Sequence, residues 1–496
     1  MRRSPSCVTP GSRACRAPWA RAADMCGVMG VFSAGQEAAP LAALGLFALQ
    51  HRGQESAGVA VSDGTGVMVY KDLGLVAQVL DDRRMPSLRG DRAIAHCRYS
   101  TTGSTVWENS QPAFRLGPRR TVALGHNGNL VNTRQLRDEL DAGTGAMVGT
   151  SDTELLTALL AGEPAADLVE ALKELLPRVK GAYSLVVMDE TRVIGVRDPF
   201  GIRPLVLGRL PAEGDGTHGW VLSSETCGLE VVGATFVRDV EPGEMVVLGE
   251  PGGPRSVRFA PGREQLCVFE LIYFARPDSF MVGRNLYEVR RRMGEELATE
   301  APVEADLVMP VPDTGSAAAA GYAERSGIPY REGIVKNRYA GRTFIQPSQA
   351  LRQRGVTVKL SPLPDQVRGR RLVVVDDSIV RGTTTRRIVE ILRRAGAAEV
   401  HLRISAPPIH HPCFYGIDTQ IETELIASRL DRDGIRDFVG ADSLAYLSIG
   451  GVLDAIGLPR ERFCFACFDG RYPVPVPYDA ASHKWVLEPS SAVRAG

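Results

Sequence analysis

The chain has 496 residues, in which 58 Lys and Arg balance 58 Asp and Glu, and 44% of its residues are hydrophobic. That length predicts two to four domains, with ample apolar material for real cores. Zero net charge excludes the broad positive field of a nucleic-acid binder, and no run reaches the ~18 apolar residues of a membrane span, so a soluble, cytoplasmic protein is expected.

Residues 1–24 carry Arg2, Arg3, Arg13, Arg16 and Arg21, a single Asp and no apolar core of signal-peptide length. Such a stretch reads as an organellar transit peptide, a short propeptide or an upstream start. Met25-Cys26-Gly27-Val28-Met29-Gly30 then puts a cysteine at the head of a small, apolar, strand-like run. If Cys26 becomes residue one, its α-amine (pKa about 8) lies beside its own thiol (about 8.5) and can take the thiol proton. Cleavage of residues 1–25, or initiation at Met25 with removal of that Met, exposes the amine.

Four polar clusters follow: Gln50-His51-Arg52-Gly53, His96-Cys97-Arg98-Tyr99, Gly125-His126-Asn127-Gly128-Asn129 and Ser151-Asp152-Thr153-Glu154. Each ends an apolar run, where a loop can present polar groups to a common pocket. Acyl transfer needs donors aimed at the developing oxyanion, worth about 3–4 kcal/mol for one donor. The Asn127 amide and the Gly128 N–H have that chemistry. Alternating runs at 92–97, 122–124, 184–188, 193–197 and 220–223 predict a layered β-rich sandwich, with helices at 153–161 and 164–176. A Pro- and Gly-rich stretch at 248–263 predicts the boundary between domains 26–250 and 262–475, and a Pro/Ser/Ala-rich tail occupies 476–496.

Beyond the boundary, strands at 307–309, 372–375 and 400–404 alternate with helices at 316–326 and 384–395, the pattern of an α/β domain with a parallel sheet. The middle strand stops at Asp376 and Asp377, and Ser378, Gly382, Thr383, Thr384 and Thr385 follow. Ligands sit at the carboxyl ends of such strands. The loop amides, the hydroxyls and the helix N-terminus suit a phosphate. The paired acids suit vicinal ribose hydroxyls or a magnesium ion. Together they predict a sugar 5′-phosphate ligand with a metal. Of nine cysteines, Cys7 and Cys15 lie in the leader, and Cys97 and Cys227 read as packed thiols in strand or turn contexts. Cys267, Cys413, Cys464 and Cys467 remain. A Cys-x-x-Cys pair with two distant partners suits either zinc or an iron–sulfur cluster, and spacing does not choose.

The four clusters, in this order after Cys26, resemble the class II glutamine amidotransferase domain, which has the N-terminal-nucleophile (αββα) fold. Within that resemblance, Arg98 matches the α-carboxylate of glutamine and Asp152 its α-ammonium group. Residues 372–385 resemble the 5-phosphoribosyl-1-diphosphate (PRPP) loop of type I phosphoribosyltransferases. Joined, the two resemble the glutamine PRPP amidotransferase family over about residues 26–475.

That resemblance implies an α+β αββα glutaminase domain followed by an α/β phosphoribosyltransferase domain. It implies PRPP binding by Asp376, Asp377, Ser378, Gly382, Thr383 and Thr384, and Mg²⁺ binding by Thr314, Asp376 and Asp377. Lys336, Arg338 and Arg342 would lie on a mobile loop that closes over the leaving pyrophosphate. One branch of the family carries a [4Fe–4S] cluster at the positions of Cys267, Cys413, Cys464 and Cys467, together with a cleaved propeptide. Ammonia released at Cys26 would be channelled to PRPP, giving 5-phosphoribosylamine, the first committed intermediate of purine synthesis. AMP- and GMP-class nucleotides would inhibit, and the chain would form a homotetramer. Two other readings stay open: a PRPP-sensing regulator, which needs a DNA-binding segment not found here, and an iron–sulfur redox sensor on an inactive scaffold.

Overall fold

Small residues on the strand Gly27–Phe32 decide how tightly the first half packs. A Cβ at Gly27 would lie 2.8 Å from Cys97 Sγ, and one at Gly30 would lie 3.0 Å from Val193 Cγ1. The strand therefore sits at the centre of a seven-stranded sheet while a second sheet lies close against it. The computed structural model describes residues 25–33, 35–100, 102–142, 147–213, 217–337, 360–477 and 487–488.

The seven-stranded sheet runs Thr235–Asp239, Val206–Glu213, Thr217–Ser223, Gly27–Phe32, Arg92–Arg98, Ser56–Ser62, Val67–Leu73. Facing it is a six-stranded sheet: Arg255–Arg258, Glu244–Leu248, Val193–Arg197, Gly181–Met188, Thr121–Leu130, Ala113–Leu116. Val28, Ala60 and Ile94 of the first sheet meet Ala123, Val186 and Val246 of the second in one buried layer. Each sheet's outer face is covered by helices. Ala38–Ala48 packs on the first through Ala39, Ala42 and Leu46. Asp152–Gly162 and Leu168–Leu175 pack on the second through Leu155, Leu156 and Leu172. This is the αββα sandwich expected from the sequence.

The alternating runs marked the strands: 193–197 has its observed ends, and the other four strands extend beyond their runs. The 122–124 run extends over Thr121–Leu130, because its polar end, His126 to Asn129, stays in register with the strand Gly181–Met188. The Pro/Gly-rich stretch expected to separate the halves contributes Arg255–Arg258 as an edge strand, paired with Glu244–Leu248. Its side chains stay largely exposed, which hides it from hydrophobic patterning.

The second half holds a four-stranded parallel sheet in the order Leu307–Pro310, Arg371–Asp376, Glu399–Ile404, Ser443–Tyr446. Period-two alternation on Arg371–Asp376 sends Val373 and Val375 into one core, and Leu372 and Val374 into another. Both faces are buried, as parallel sheets require. The helix Thr383–Arg394 begins at Gly382 (φ +74°) and buries Ile388, Val389, Ile391 and Leu392. The two halves share a core in which Val131, Ala182 and Ile202 meet Leu266, Phe269, Phe414 and Tyr415. No helix among the described residues is long and apolar enough to cross a membrane.

Candidate active sites

The first site is built where the two sheets end together. Cys26 heads the central strand and is 5% exposed. Its thiol donates to Tyr99 O at 3.5 Å, and its own carbonyl accepts from Arg52 Nε at 3.1 Å. Burial pushes the thiol up to about 11, against the opposing pull of the Tyr99 contact and the Arg98 charge. A small cavity is lined by Cys26, Arg98, Tyr99, His126, Gly128 and Asp152, among others. Four of the expected glutamine-site residues therefore share one space: Cys26, Gly128, Arg98 and Asp152.

Asn127 lies on the same strand between two of the lining residues. Alternation puts it on the face of Ala123 and Gly125, towards the seven-stranded sheet, where a Cβ at Gly125 would meet His96 Cβ at 3.6 Å. Asn127 is 0% exposed, and neither its amide nitrogen nor its oxygen has a hydrogen-bond partner. Leaving such groups unpaired costs about 1–3 kcal/mol each. Gly128 takes φ +149°, and a Cβ there would lie 2.0 Å from Ala182 O, so only glycine fits.

Arg98 and Asp152 are held by different elements. Arg98 ends the strand Arg92–Arg98 and donates to Thr102 O at 3.1 Å and Ser104 O at 3.3 Å, with Glu55 3.9 Å away. Ser151 caps the helix Asp152–Gly162 by accepting from Glu154 N at 3.2 Å, which fixes Asp152 in the first turn. The Asp152 carboxylate accepts from Leu130 N at 3.2 Å and lies 3.6 Å from His126 Nδ1. Burial alone would raise its pKa, but the His126 contact and the amide bonds outweigh it and leave a lowered value. His96 is pushed down to about 3 by burial, so it is neutral at physiological pH.

One feature had no single-motif signature in the sequence. Arg52, one member of the Gln50–Gly53 cluster, is fully buried and donates to Glu225 Oε1 at 2.5 Å and to both Glu270 oxygens at 2.9 Å. Glu270 also accepts from Arg203 at 3.2 Å, and Arg203 donates to Tyr415 O at 2.9 and 2.7 Å. Burial opposes the charge on Arg52, yet the two carboxylates outweigh it and hold its pKa above the ordinary value. Replacing Glu270 by Ala is expected to cost about 3–5 kcal/mol of stability in urea denaturation, because Arg52 and Arg203 would face each other without their shared anion. A loss below about 1 kcal/mol would mean that the pair is solvated rather than buried.

The second site lies at the carboxyl ends of the parallel sheet. Asp376 closes the strand Arg371–Asp376, and Asp377 opens the loop. The Asp377 amide donates to Asp376 Oδ1 at 3.0 Å, and Asp377 accepts from the Ser378 hydroxyl at 2.6 Å and from the Thr314 hydroxyl. The loop after Leu307–Pro310 thus meets the diacid loop, and a Cβ at Gly315 would lie 2.4 Å from Val375 O. Lys336 Nζ donates to Asp313 Oδ2 at 2.5 Å, which brings the start of the basic loop to the Thr314 turn. Thr383 and Thr384 are exposed at the helix N-terminus, behind Gly382. Arg338 and Arg342 lie outside the described residues.

Cys267, Cys413, Cys464 and Cys467 gather from three distant parts of the chain into one core, each between 6% and 8% exposed. Cys267 and Cys464 stand side by side because Leu266–Cys267 pairs in parallel with Phe463–Cys464. Burial raises the Cys267 thiol to about 11, opposed by the Arg203 guanidinium; Cys464 and Cys467 are also raised. No group of three or more His, Cys, Asp or Glu among the described residues could hold a metal ion as the side chains stand. Zinc would draw four thiolates to about 2.3 Å from one point. A four-iron cluster binds each thiolate to a different iron, so its ligands need not converge in that way. Cys97 is a packed strand thiol as expected, whereas Cys227 lies in the helix Thr226–Val231; both are buried.

Pairing these two sites defines a class: a glutamine amidotransferase of the N-terminal-nucleophile kind built onto a type I phosphoribosyltransferase. Comparison with known proteins agrees. Residues 96–229 match a glutamine amidotransferase domain, and residues 283–411 match a phosphoribosyl transferase domain. The amidophosphoribosyltransferase of Mycobacterium leprae is 52% identical over 94% of this chain and 84% of its own length. That of Synechococcus elongatus is 50% identical over 95% of this chain and 96% of its own. A solved glutamine PRPP amidotransferase from Bacillus subtilis, complexed with ADP and GMP, superposes with TM-score 0.84 at 47% identity, covering 91% of this chain and 98% of that one. The chain belongs to the amidophosphoribosyltransferase family. Its reaction converts PRPP, glutamine and water to 5-phosphoribosylamine, glutamate and pyrophosphate, opening de novo purine synthesis.

Proposed function

We propose that Cys26 acts as residue one of the mature chain, after loss of residues 1–25, and that residues 26–250 hydrolyse glutamine while residues 262–475 carry PRPP. The α-amine of Cys26 takes the thiol proton, and the thiolate attacks the glutamine side-chain carbonyl. Asn127 Nδ2 and Gly128 N–H stabilise the oxyanion; Arg98 binds the substrate carboxylate and Asp152 its ammonium group. Water then hydrolyses the thioester to glutamate. The released ammonia passes inside the protein to the second site, because in water it would be protonated and lost. There the 5′-phosphate rests on Ser378, Gly382, Thr383 and Thr384, and Asp376 and Asp377 hold the ribose hydroxyls. Lys336, with Arg338 and Arg342, faces the leaving pyrophosphate while ammonia attacks the anomeric carbon.

The oxygens of Thr314, Asp376 and Asp377 are the hard donors Mg²⁺ takes, and the ion would neutralise pyrophosphate charge there. Four buried thiols from Cys267, Cys413, Cys464 and Cys467 fit a structural [4Fe–4S] cluster, since no step above moves electrons. Inhibition by AMP- or GMP-class nucleotides, a homotetramer and a cytoplasmic location complete the reading. The ADP and GMP bound to the B. subtilis relative support the first of these.

The observation that carries the glutamine chemistry is the cavity shared by Cys26, Gly128, Arg98 and Asp152, with the buried, unpartnered amide of Asn127 on the strand between two of its lining residues. Replacing Asn127 by Ala is expected to lower glutamine-dependent kcat by about 10²–10³-fold, with ammonia-dependent turnover unchanged. Parental glutamine turnover in that variant would remove Asn127 from the oxyanion site.

A further inference from the structure

By sequence, residues 413–418 belong to the transferase half, yet they lie against the framework of the glutamine pocket. Phe414 O accepts from Asn129 Nδ2 at 3.0 Å, and Asn129 Oδ1 accepts from the cavity-lining Thr102 at 2.7 Å. Tyr415 O receives both Arg203 bonds and so ties this segment to the Arg203–Glu270–Arg52 chain that ends on Cys26 O. Gly416 sets bare backbone against Gly128. It adopts φ +116°, and a Cβ there would lie 3.2–3.3 Å from the Gly128 carbonyl carbon, Cα and oxygen. A side chain at 416 would therefore strain its own backbone and push on the oxyanion strand together. Tyr99 OH reaches Asp418 Oδ2 at 3.5 Å, a weaker contact on the residue whose carbonyl receives the Cys26 thiol.

We propose that Phe414 and Gly416 are positioning residues for glutamine hydrolysis: the transferase half holds residues 127–129 in place from behind. The glutaminase domain alone then lacks one support of its oxyanion strand. This rests on the assignment of Asn127 and Gly128 as oxyanion donors. Its physical basis is that a misplacement of well under 1 Å between donor and oxyanion already weakens a hydrogen bond that matters only in the transition state.

The test uses the full mature enzyme carrying Gly416→Ala, and separately Asn129→Ala, which removes the Phe414 contact together with the Thr102 bond without altering the 413–418 sequence, with Thr102→Val as the control that removes the Thr102 bond alone. Glutamine-dependent and ammonia-dependent PRPP consumption, the KM for glutamine and iron per chain are measured for each. The expected result is a fall in glutamine-dependent kcat of roughly tenfold or more for Gly416→Ala, and a smaller fall for Asn129→Ala. The KM for glutamine, the ammonia-dependent rate and the iron content should stay within about twofold of the parent. Equal loss with both nitrogen donors, or loss of iron in step with activity, overturns the proposal, since either reports general damage. Parental glutamine turnover in both variants, with Asn127→Ala impaired, overturns the positioning role alone. Parental turnover in Asn127→Ala overturns the oxyanion assignment beneath it.

Discussion

Replacing Cys26 by Ala is expected to abolish glutamine-dependent formation of 5-phosphoribosylamine, by at least about 10³-fold, while ammonia-dependent formation stays within about twofold of the parent. The asymmetry is what the proposed arrangement predicts, two separate sites of which only one uses the thiol. A pH experiment tests how that thiol is activated. With residue 25 still attached, burial pushes Cys26 up to about 11, so only about one thiol in 10⁴ is ionised at pH 7. Only the thiolate reacts, so iodoacetamide labelling of the unprocessed form should climb steadily with pH, with a midpoint near that raised value. In the mature form the transition should move down towards the α-amine, about pH 8. Full glutamine turnover by a chain retaining residues 1–25 would refute activation by the residue's own amine.

The second large effect is expected at Asp377. Asp377→Asn keeps the size of the side chain and removes its charge, at a group that accepts from the Thr314 and Ser378 hydroxyls. Pyrophosphate release should fall about 10²–10³-fold with glutamine and with ammonia alike, because both donors meet the same PRPP. Alkylation of Cys26 by an electrophilic glutamine analogue should be preserved. Turnover near the parental rate would mean that Asp376 alone serves the ribose and the metal. Loss confined to the glutamine-dependent reaction would place Asp377 in communication between sites rather than at PRPP.

Much of both candidate sites was legible because it is local. Asp376, Asp377 and the hydroxyl-rich loop occupy consecutive positions, and a buried parallel strand followed by a helix N-terminus announces itself in the order of residue types. The helix 316–326 and the strand 193–197 were read with their observed ends, since apolar periodicity and flanking Gly or Asp mark them. The Thr121–Leu130 strand was cut short for an instructive reason. Its positions 126–129 are His, Asn, Gly and Asn, and alternation scored on hydrophobicity stops there although the strand runs on. Arg255–Arg258 escaped for the opposite reason, as an exposed edge strand with little apolar face to detect.

Taken alone, then, the order of residues was enough to mark the Cys26 thiol, the diacid loop and the two fold classes, since each rests on local pattern and turn chemistry, whereas the gathering of Cys267, Cys413, Cys464 and Cys467 into one core shows only in the fold. Only the packed chain decided what Arg52 binds, that Glu270 is shared by two arginines, and that Gly416 lies against Gly128 across 288 positions. Such contacts carry no local signature. They arise when two hydrophobic cores close on each other and leave buried charges and bare backbone to find partners from whichever segment the fold brings near.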